Sequence, residues 1–352
     1  MNQRRREESL FCFEGPSIHE ADGLFAFLSV FLVKFFPFTL GWFASPMLAF
    51  AIRRFVSMLL VLLCVVSITF FLMRSAPGGP FDRERELLPA AKQALEVKFH
   101  YNGTPWQQYT AYMGRLFHGD LGPSTRYRNR TVNELLAQTL PVSAALGAAA
   151  FAIATVGGVA LGGWAAIRRG KPGETAAMLA SLLAISIPTF VTGPLFILIF
   201  ALHWHWLPVG GWGSPACLIL PAITLAGPYV AYIARLTRTS MLEVLGHDFI
   251  RTARAKGLAE WQVVSKHAAK VALLPVISFL GPLAANLLTG SIVIETIFNI
   301  PGAGGFFVNS IQNRDGFLLE GVVIVYCTLL VILNLLVDLA YPWLDRRIQP
   351  YE

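Results

Sequence analysis

The sequence predicts an all-α membrane protein with six transmembrane helices, and three observations carry that prediction. The residues AVILMFWYC make up 55% of the 352 positions, and glycine adds another 30 residues. Soluble domains hold about 45–50% apolar residues with glycine counted in. Charged residues are 14%, where a soluble domain has about a quarter. That is too little charge to coat a 38.6 kDa globule. Third, uncharged runs recur along the chain, each near the roughly 20 residues that a bilayer crossing needs. The same figures exclude a disordered chain, which needs low hydrophobicity and high charge. The 4 cysteines, at positions 12, 64, 217 and 327, are too scattered for a disulfide framework or a cysteine metal site.

The runs follow in order. Phe55 to Met73 is uncharged and is flanked by Arg53, Arg54 and Arg74. Thr139 to Ile167 is the second run. From Thr175 to Ala234 there is no Asp, Glu, Lys or Arg, enough for a third and a fourth span. The segment His203-Trp204-His205-Trp206-Leu207-Pro208 and the Gly210-Gly211-Trp212-Gly213 turn divide them. Val271 to Ile294 is the fifth, and Phe317 to about Tyr341 is the sixth, with Glu320 and Asp338 near its ends. Pro188, Pro194, Pro228 and Pro282 fall inside these runs. They are expected to be tolerated, because neighbouring helices resatisfy the backbone groups that proline frees.

Lys and Arg set the sidedness, since short cytoplasmic loops carry the excess of positive charge. Arg53 and Arg54 precede the first span, and Arg168, Arg169 and Lys171 follow the second. Arg235, Arg238, Arg251, Arg254, Lys256, Lys266 and Lys270 fall between the fourth and fifth, and Arg346 and Arg347 follow the sixth. The segment from Trp204 to Pro215 has none, and that from Asn299 to Gly316 has only Arg314. All six spans agree: the N and C termini of the core are cytoplasmic. The long first outer loop, Arg74 to Gln138, is basic but outside, because long loops cross largely regardless of charge. The net charge of +7 therefore reads as leaflet sidedness and does not call for nucleic acid.

Residues 1–46 do not fit this scheme. Leu24 to Phe43 is apolar but contains Lys34 and Pro37. If it spanned, Arg4, Arg5 and Arg6 would lie across the membrane from Arg53 and Arg54. It reads either as an interfacial segment or as upstream sequence translated in frame before a natural start at Met47. The organisation is then an extension at 1–46, the first span and outer loop at 47–138, and the remaining core at 139–345. In the outer loop, Pro77-Gly78-Gly79-Pro80 and the segment from Gly119 to Ser124 are turn clusters. Leu87 to His100 and Pro105 to Phe117 read as short helices.

Several chemistries have no motif here. No G-x-x-x-x-G-K-[ST] phosphate loop occurs, since Gly170-Lys171 is followed by Pro172. There is no H-E-x-x-H and no G-x-S-x-G. His203 and His205 stand beside tryptophans and read as an interfacial aromatic belt rather than a metal pair. Cys64 and Cys327 read as packing residues. Ion-coupled transporters usually carry carboxylates deep in the membrane. Here Glu295, Glu320 and Asp338 sit near span ends, and Asn286 and Asn334 are the deeper polar groups. An energy source outside this chain follows.

The most informative stretch lies between the fourth and fifth spans, in a loop over 241–270. Asp248, Phe249, Ile250, Arg251, Thr252, Ala253, Arg254, Ala255 and Lys256 form a short helix with small residues, and Gly257 and Leu258 follow. Gly257 suits the left-handed position after a helix, and Arg254 and Lys256 suit its last turn, where cations favour the dipole. A second helix from Ala259 to Lys270 leads into the fifth span. The product is an elbow that presents a short helix to the cytoplasm. Ala253 and Ala255 allow close approach of a partner groove, and Arg251, Arg254 and Lys256 can make charge-assisted bonds there. An ordinary positively charged inside loop is the plainer reading.

These residues resemble a known family. The stretch from Arg251 to Gly257, with His267-Ala268 and the Ala272 to Pro275 segment, is similar to the cytoplasmic "EAA" loop of ABC importer permeases in its peptide-transporter version. Arg53-Arg54, Arg74 to Phe81, Gly119 to Ser124, Pro141 to Leu146, Gly290 to Ile297 and Pro301-Gly302 add an ordered set that resembles the B-type subunit of oligopeptide permeases. The likeness runs over nearly all of Met47 to Tyr351. Arg251 stands where the general family has Glu, and Val271 where many dipeptide-type relatives have Asn.

The resemblance implies a type I ABC importer permease fold in the bacterial cytoplasmic (inner) membrane. It implies a homologous C-type permease partner, two ABC ATPase subunits below, and an extracytoplasmic peptide-binding protein above. ATP and Mg would be bound by the ATPase subunits and no cofactor by this chain, which is a transport subunit and not an enzyme. The elbow would be the ATPase-coupling helix, and the cargo oligopeptides crossing a wide, weakly polar passage. Dipeptides, nickel chelates, murein peptides and glutathione are the other cargoes weighed, and a non-transporting membrane scaffold is the reading from another class. A last feature is the turn-rich strip after Glu295, namely Asn299, Ile300, Pro301, Gly302, Ala303, Gly304 and Gly305. It reads either as a loop folded back at the outer mouth beside the binding protein or as a re-entrant seal.

Overall fold

The computed structural model describes residues 46–75, 103–127, 129–288 and 290–344. Its elements there are helices, with one isolated bridge between Pro123 and Thr131. The extension before Pro46, the Pro77–Pro80 turn and the helix expected over 87–100 lie outside the described residues. The packing below is that of the described residues within 62–352. Helix α1 covers Pro46–Ser75, α2 Pro105–Phe117 and α3 Val132–Ile167. Helix α4 covers Pro172–Ser186, and α5 runs from Thr189 through a wider π-helical stretch to His203. Helix α6 is Pro215–Leu245, α7 Asp248–Ala255 and α8 Glu260–Ala272. Helix α9 is Leu274–Leu288, α10 Ile292–Ile297, α11 Gly304–Asn313 and α12 Gly316–Leu344.

Four of these helices are long and apolar enough to cross a bilayer: α1, α3, α6 and α12. The pairs α4–α5 and α8–α9 raise the number to 6 if each bent pair is one span. The third expected span is therefore broken. At its centre Ile187 is extended, with ψ of 120°, and the axes of α4 and α5 turn by 107°. Pro188 is the cause: its ring disfavours helical geometry at the residue before it and supplies no N–H. Pro194, Pro228 and Pro282 stay inside helices, as expected. The fifth span also differs from the run Val271 to Ile294. It bends by 54° after Ala272 and ends at Leu288, and Gly290 at φ 88° turns the chain into α10.

Small residues hold the bundle together. Gly158 and Gly162 are one turn apart on α3, and both face α6. A Cβ at Gly158 would lie 2.6 Å from Ile233 Cβ, and one at Gly162 would lie 2.7 Å from Thr237 Cβ. In lipid, where apolar surface gains nothing by leaving the solvent, such close backbone approach supplies the packing. Gly147 lets α3 meet the backbone of α9 at Leu287 in the same way. The resulting core holds Leu146, Ala150, Ala154, Leu225, Ile233 and Leu287.

A second core gathers at the N-terminal end of α3. Phe70 stacks on Tyr112 at 5.6 Å, and Val132, Leu136, Phe317 and Val322 close around them. A buried ion pair pins it. Arg74 Nη1 donates to Glu320 Oε1 at 2.5 Å, Arg74 Nε donates to Gln108 Oε1 at 2.9 Å, and the guanidinium lies 3.7 Å from the Phe70 ring centre. Helix α2 starts as the sequence predicts: Thr104 and Gln107 form a capping box around Pro105 at the first turn.

Candidate functional site

The elbow forms at the end of the molecule where α3 and α6 finish. Helix α7 stops at Ala255, Lys256 caps it, and Gly257 takes φ 79° before α8 begins at Glu260. That positive φ is the reason for glycine, since a side chain would be strained there even with open space around it. The elbow has its own core. Ile250 is fully buried among Met241, Val244, Val263 and Ala272.

This core corrects one expectation. Ala253 is buried at 6% exposure against the elbow itself, so it is not available to a partner groove. Asp248, Phe249, Arg251, Thr252, Ala255, Lys256, Gly257 and Leu258 are the exposed face, and Trp261 extends it at 65%. Arg254 is exposed, at 42%, but its charge is engaged within the elbow. Its guanidinium makes two hydrogen bonds to the Glu260 carboxylate, at 3.1 and 2.6 Å. Nothing in the local sequence marks Phe249 and Trp261 as surface anchors; only the folded elbow separates them from Ile250.

Beside the elbow, a cleft between α4 and α6 is lined by Thr175, Met178, Leu182, Arg235 and a half-buried ion pair that no sequence motif signals. Arg238 holds Glu174 through Nε at 2.8 Å and through Nη2. The Gly170 N–H donates to the other carboxylate oxygen at 2.6 Å. Glu174 sits one residue before the uncharged run and Arg238 just after it. Sixty-four residues separate them, and no local pattern links the two.

At the opposite end of α3 the strip after Glu295 is folded, not loose. Ser291 caps α10 by accepting from Ile294 N at 3.4 Å, and the Ile300 N–H returns to Glu295 O at 2.8 Å. Asn299 takes φ 50°, Pro301 is exposed, and Gly302, Ala303 and Gly304 are buried. Gly305 is half-buried, and a Cβ there would meet nothing within 4 Å. The Glu295 side chain is 2% exposed. Its Oε2 accepts from Gly304 N at 2.8 Å, and the Ala303 N–H donates to Ser143 Oγ of α3 at 2.9 Å. Burial raises the Glu295 carboxyl above the ordinary range, against the opposing pull of the Ser143 hydroxyl and the Gly304 amide. The loop between α5 and α6 docks alongside, with Gly211 N donating to Phe298 O at 2.7 Å.

His203 and His205 alternate with Trp204 and Trp206, whose ring centres are 4.5 Å apart with the planes tilted by 30°. Among the described residues no group of three or more His, Cys, Asp or Glu could hold a metal ion.

Residues 158–350 match the family described as "Binding-protein-dependent transport system inner membrane component". The chain is 45% identical over 305 residues to the oligopeptide transport system permease protein OppB of Escherichia coli (strain K12), covering 86% of this chain and 100% of that protein. It is 44% identical over 306 residues to the dipeptide transport system permease protein DppB of Bacillus subtilis (strain 168), covering 87% and 99%. A solved inward-facing structure of the MetNI methionine ABC transporter aligns with a TM-score of 0.51 at 17% identity, over 60% of this chain and 97% of that chain. At that identity the likeness concerns the fold alone.

Proposed function

The chain belongs to the family of binding-protein-dependent transport system inner membrane components, and we propose that it is the B-type membrane subunit of an ATP-driven oligopeptide importer. In this reading it crosses the inner membrane six times, with both ends of the core cytoplasmic; the Lys and Arg distribution supports that sidedness. Two ABC ATPase subunits bind and hydrolyse ATP, a homologous C-type permease completes the passage, and an extracytoplasmic binding protein delivers the peptide. The chain itself holds no cofactor.

The observation that carries this reading is the elbow. A rigid helix with its own core, set off by a left-handed glycine, transmits force without bending. The exposed Phe249, Arg251, Lys256, Leu258 and Trp261 offer apolar and cationic anchors to an ATPase groove. ATPase closure then moves α7 as a body, and α8 and α6 carry the movement into the bundle. The chain is a two-state element that ligands bias from both faces, as coupling requires.

The dipeptide-transport relative supports dipeptides as a second cargo. Uptake by the reconstituted complex, competed with unlabelled peptides of two to five residues, tests both. Competition by the longer peptides supports oligopeptide cargo, and competition by dipeptides alone supports the second. Failure of every peptide to compete overturns the peptide reading.

A further inference from the structure

Glu295 is a buried carboxylate that the coupling scheme does not use. It sits in α10, and the chain turns around it twice. Three glycines form the wall. A Cβ at Gly290 would lie 2.6 Å from its Oε1 and one at Gly304 2.8 Å from its Oε2, and a Cβ at Gly302 would overlap the carboxylate outright. Gly304 N donates to Oε2 at 2.8 Å. Ser143 of α3 lies on the far side, accepting from Ala303 N at 2.9 Å. Among the described residues no Lys or Arg forms an ion pair with Glu295.

An acid in this position is costly unless its contacts do something an apolar side chain cannot. What they do here is join segments. The carboxyl group accepts from the first turn of α11 and packs against Gly290 before α10 and Gly302 in the strip, and Ser143 fastens Ala303 to α3. We propose that Glu295 is the positioning residue of the strip, locking residues 299–305 to α3 so that both move as one body. This rests on the reading of the strip as the outer-mouth element of an importer. It makes the strip a rigid extension of α3 rather than a flap swinging on its own glycines.

The test uses the assembled complex in proteoliposomes, with hydrogen exchange at the strip and ATP hydrolysis with and without loaded binding protein. In Glu295→Ala, exchange at Ala303 and Gly304 should quicken by about tenfold or more, while α3 and α9 keep their protection. The ratio of stimulated to basal hydrolysis should fall with the basal rate unchanged. Glu295→Gln keeps a carbonyl for Gly304 N and should recover most of both. Ser143→Ala leaves Glu295 in place and should loosen the strip alone. Unchanged exchange in Glu295→Ala would overturn the proposal. So would loss of protection throughout the bundle, since Glu295 would then hold the fold and not the strip. Exchange is read whether or not peptide is carried, so it fails separately from the transport reading, which wild-type uptake tests.

Discussion

Arg254 and Glu260 reach each other across Gly257, with Nε to Oε2 at 3.1 Å and Nη2 to Oε1 at 2.6 Å. The pair ties the last turn of α7 to the first turn of α8, and it fixes the angle that Gly257 makes possible. Both side chains are exposed, at 42% and 59%, so the pair adds only about 0–1 kcal/mol to stability. Its worth lies in geometry.

Arg254→Ala and Glu260→Ala should therefore leave melting of the complex within about 0.5–1 kcal/mol of wild type. Peptide-stimulated ATP hydrolysis should fall in both. The exchange pair Arg254→Glu with Glu260→Arg should regain much of it. Full stimulation in both single variants would show that the angle is set without the pair.

Gly257→Val should abolish uptake while the subunit still inserts. The φ of 79° costs an L-residue about 1–2 kcal/mol, and a β-branched residue tolerates it worst. Asn visits this region more readily, so Gly257→Asn should keep partial uptake. Equal transport by Val and Asn variants, measured at equal membrane levels, would argue against a shaped elbow.

The α3–α6 contact predicts a sharp contrast between neighbouring glycines. Gly162→Leu drives a side chain into Ala234 and Thr237, whereas Gly163 has nothing within 4 Å of its Cβ position. Overpacking costs about 1–3 kcal/mol or more, so Gly162→Leu should be poorly recovered from membranes. Gly163→Leu should melt within about 0.5 kcal/mol of wild type.

Arg74 and Glu320 predict non-additivity. Their side chains are 14% and 1% exposed. Removing either charge alone strands the other and should cost about 3–5 kcal/mol. Replacing both with Met should cost much less, as thermal melting of the four-member cycle would reveal. Additive losses would mean the pair is not coupled.

Gly305→Trp separates sensing from sealing by the strip. Gly305 has open space at its Cβ position, whereas Gly302 is walled in by Glu295 and Ser143. Gly305→Trp should fold and lose stimulation by loaded binding protein, with basal hydrolysis retained. Undiminished stimulation would leave the strip a seal. Gly302→Trp should instead destabilise the subunit, by about 1–3 kcal/mol or more.

Much of the fold was legible because a bilayer imposes a simple rule: each crossing must be apolar and internally hydrogen-bonded. The runs that became α1, α3, α6 and α12 were readable from charge spacing alone. So was the elbow, because a left-handed glycine after a cationic last turn is a local signal. The break between α4 and α5 could not be separated from the tolerated prolines. Pro188 and Pro194 look alike in sequence, and only the geometry at Ile187 marks the first as a breaker.

The sequence by itself determined that this is a helical membrane protein, where its apolar runs lie and where the elbow turns. These are properties of a residue and its near neighbours. Tertiary structure decided which side chains meet: Arg74 with Glu320, Arg238 with Glu174, and Glu295 with Ser143 and the strip glycines. Arg74 and Glu320 stand 246 residues apart and Arg238 and Glu174 stand 64 apart. It also turned Ala253 inward and left Phe249 and Trp261 outside. The physical reason is that burial of a polar or small residue is set by what packs over it, and in a bundle that partner is supplied by another helix far along the chain.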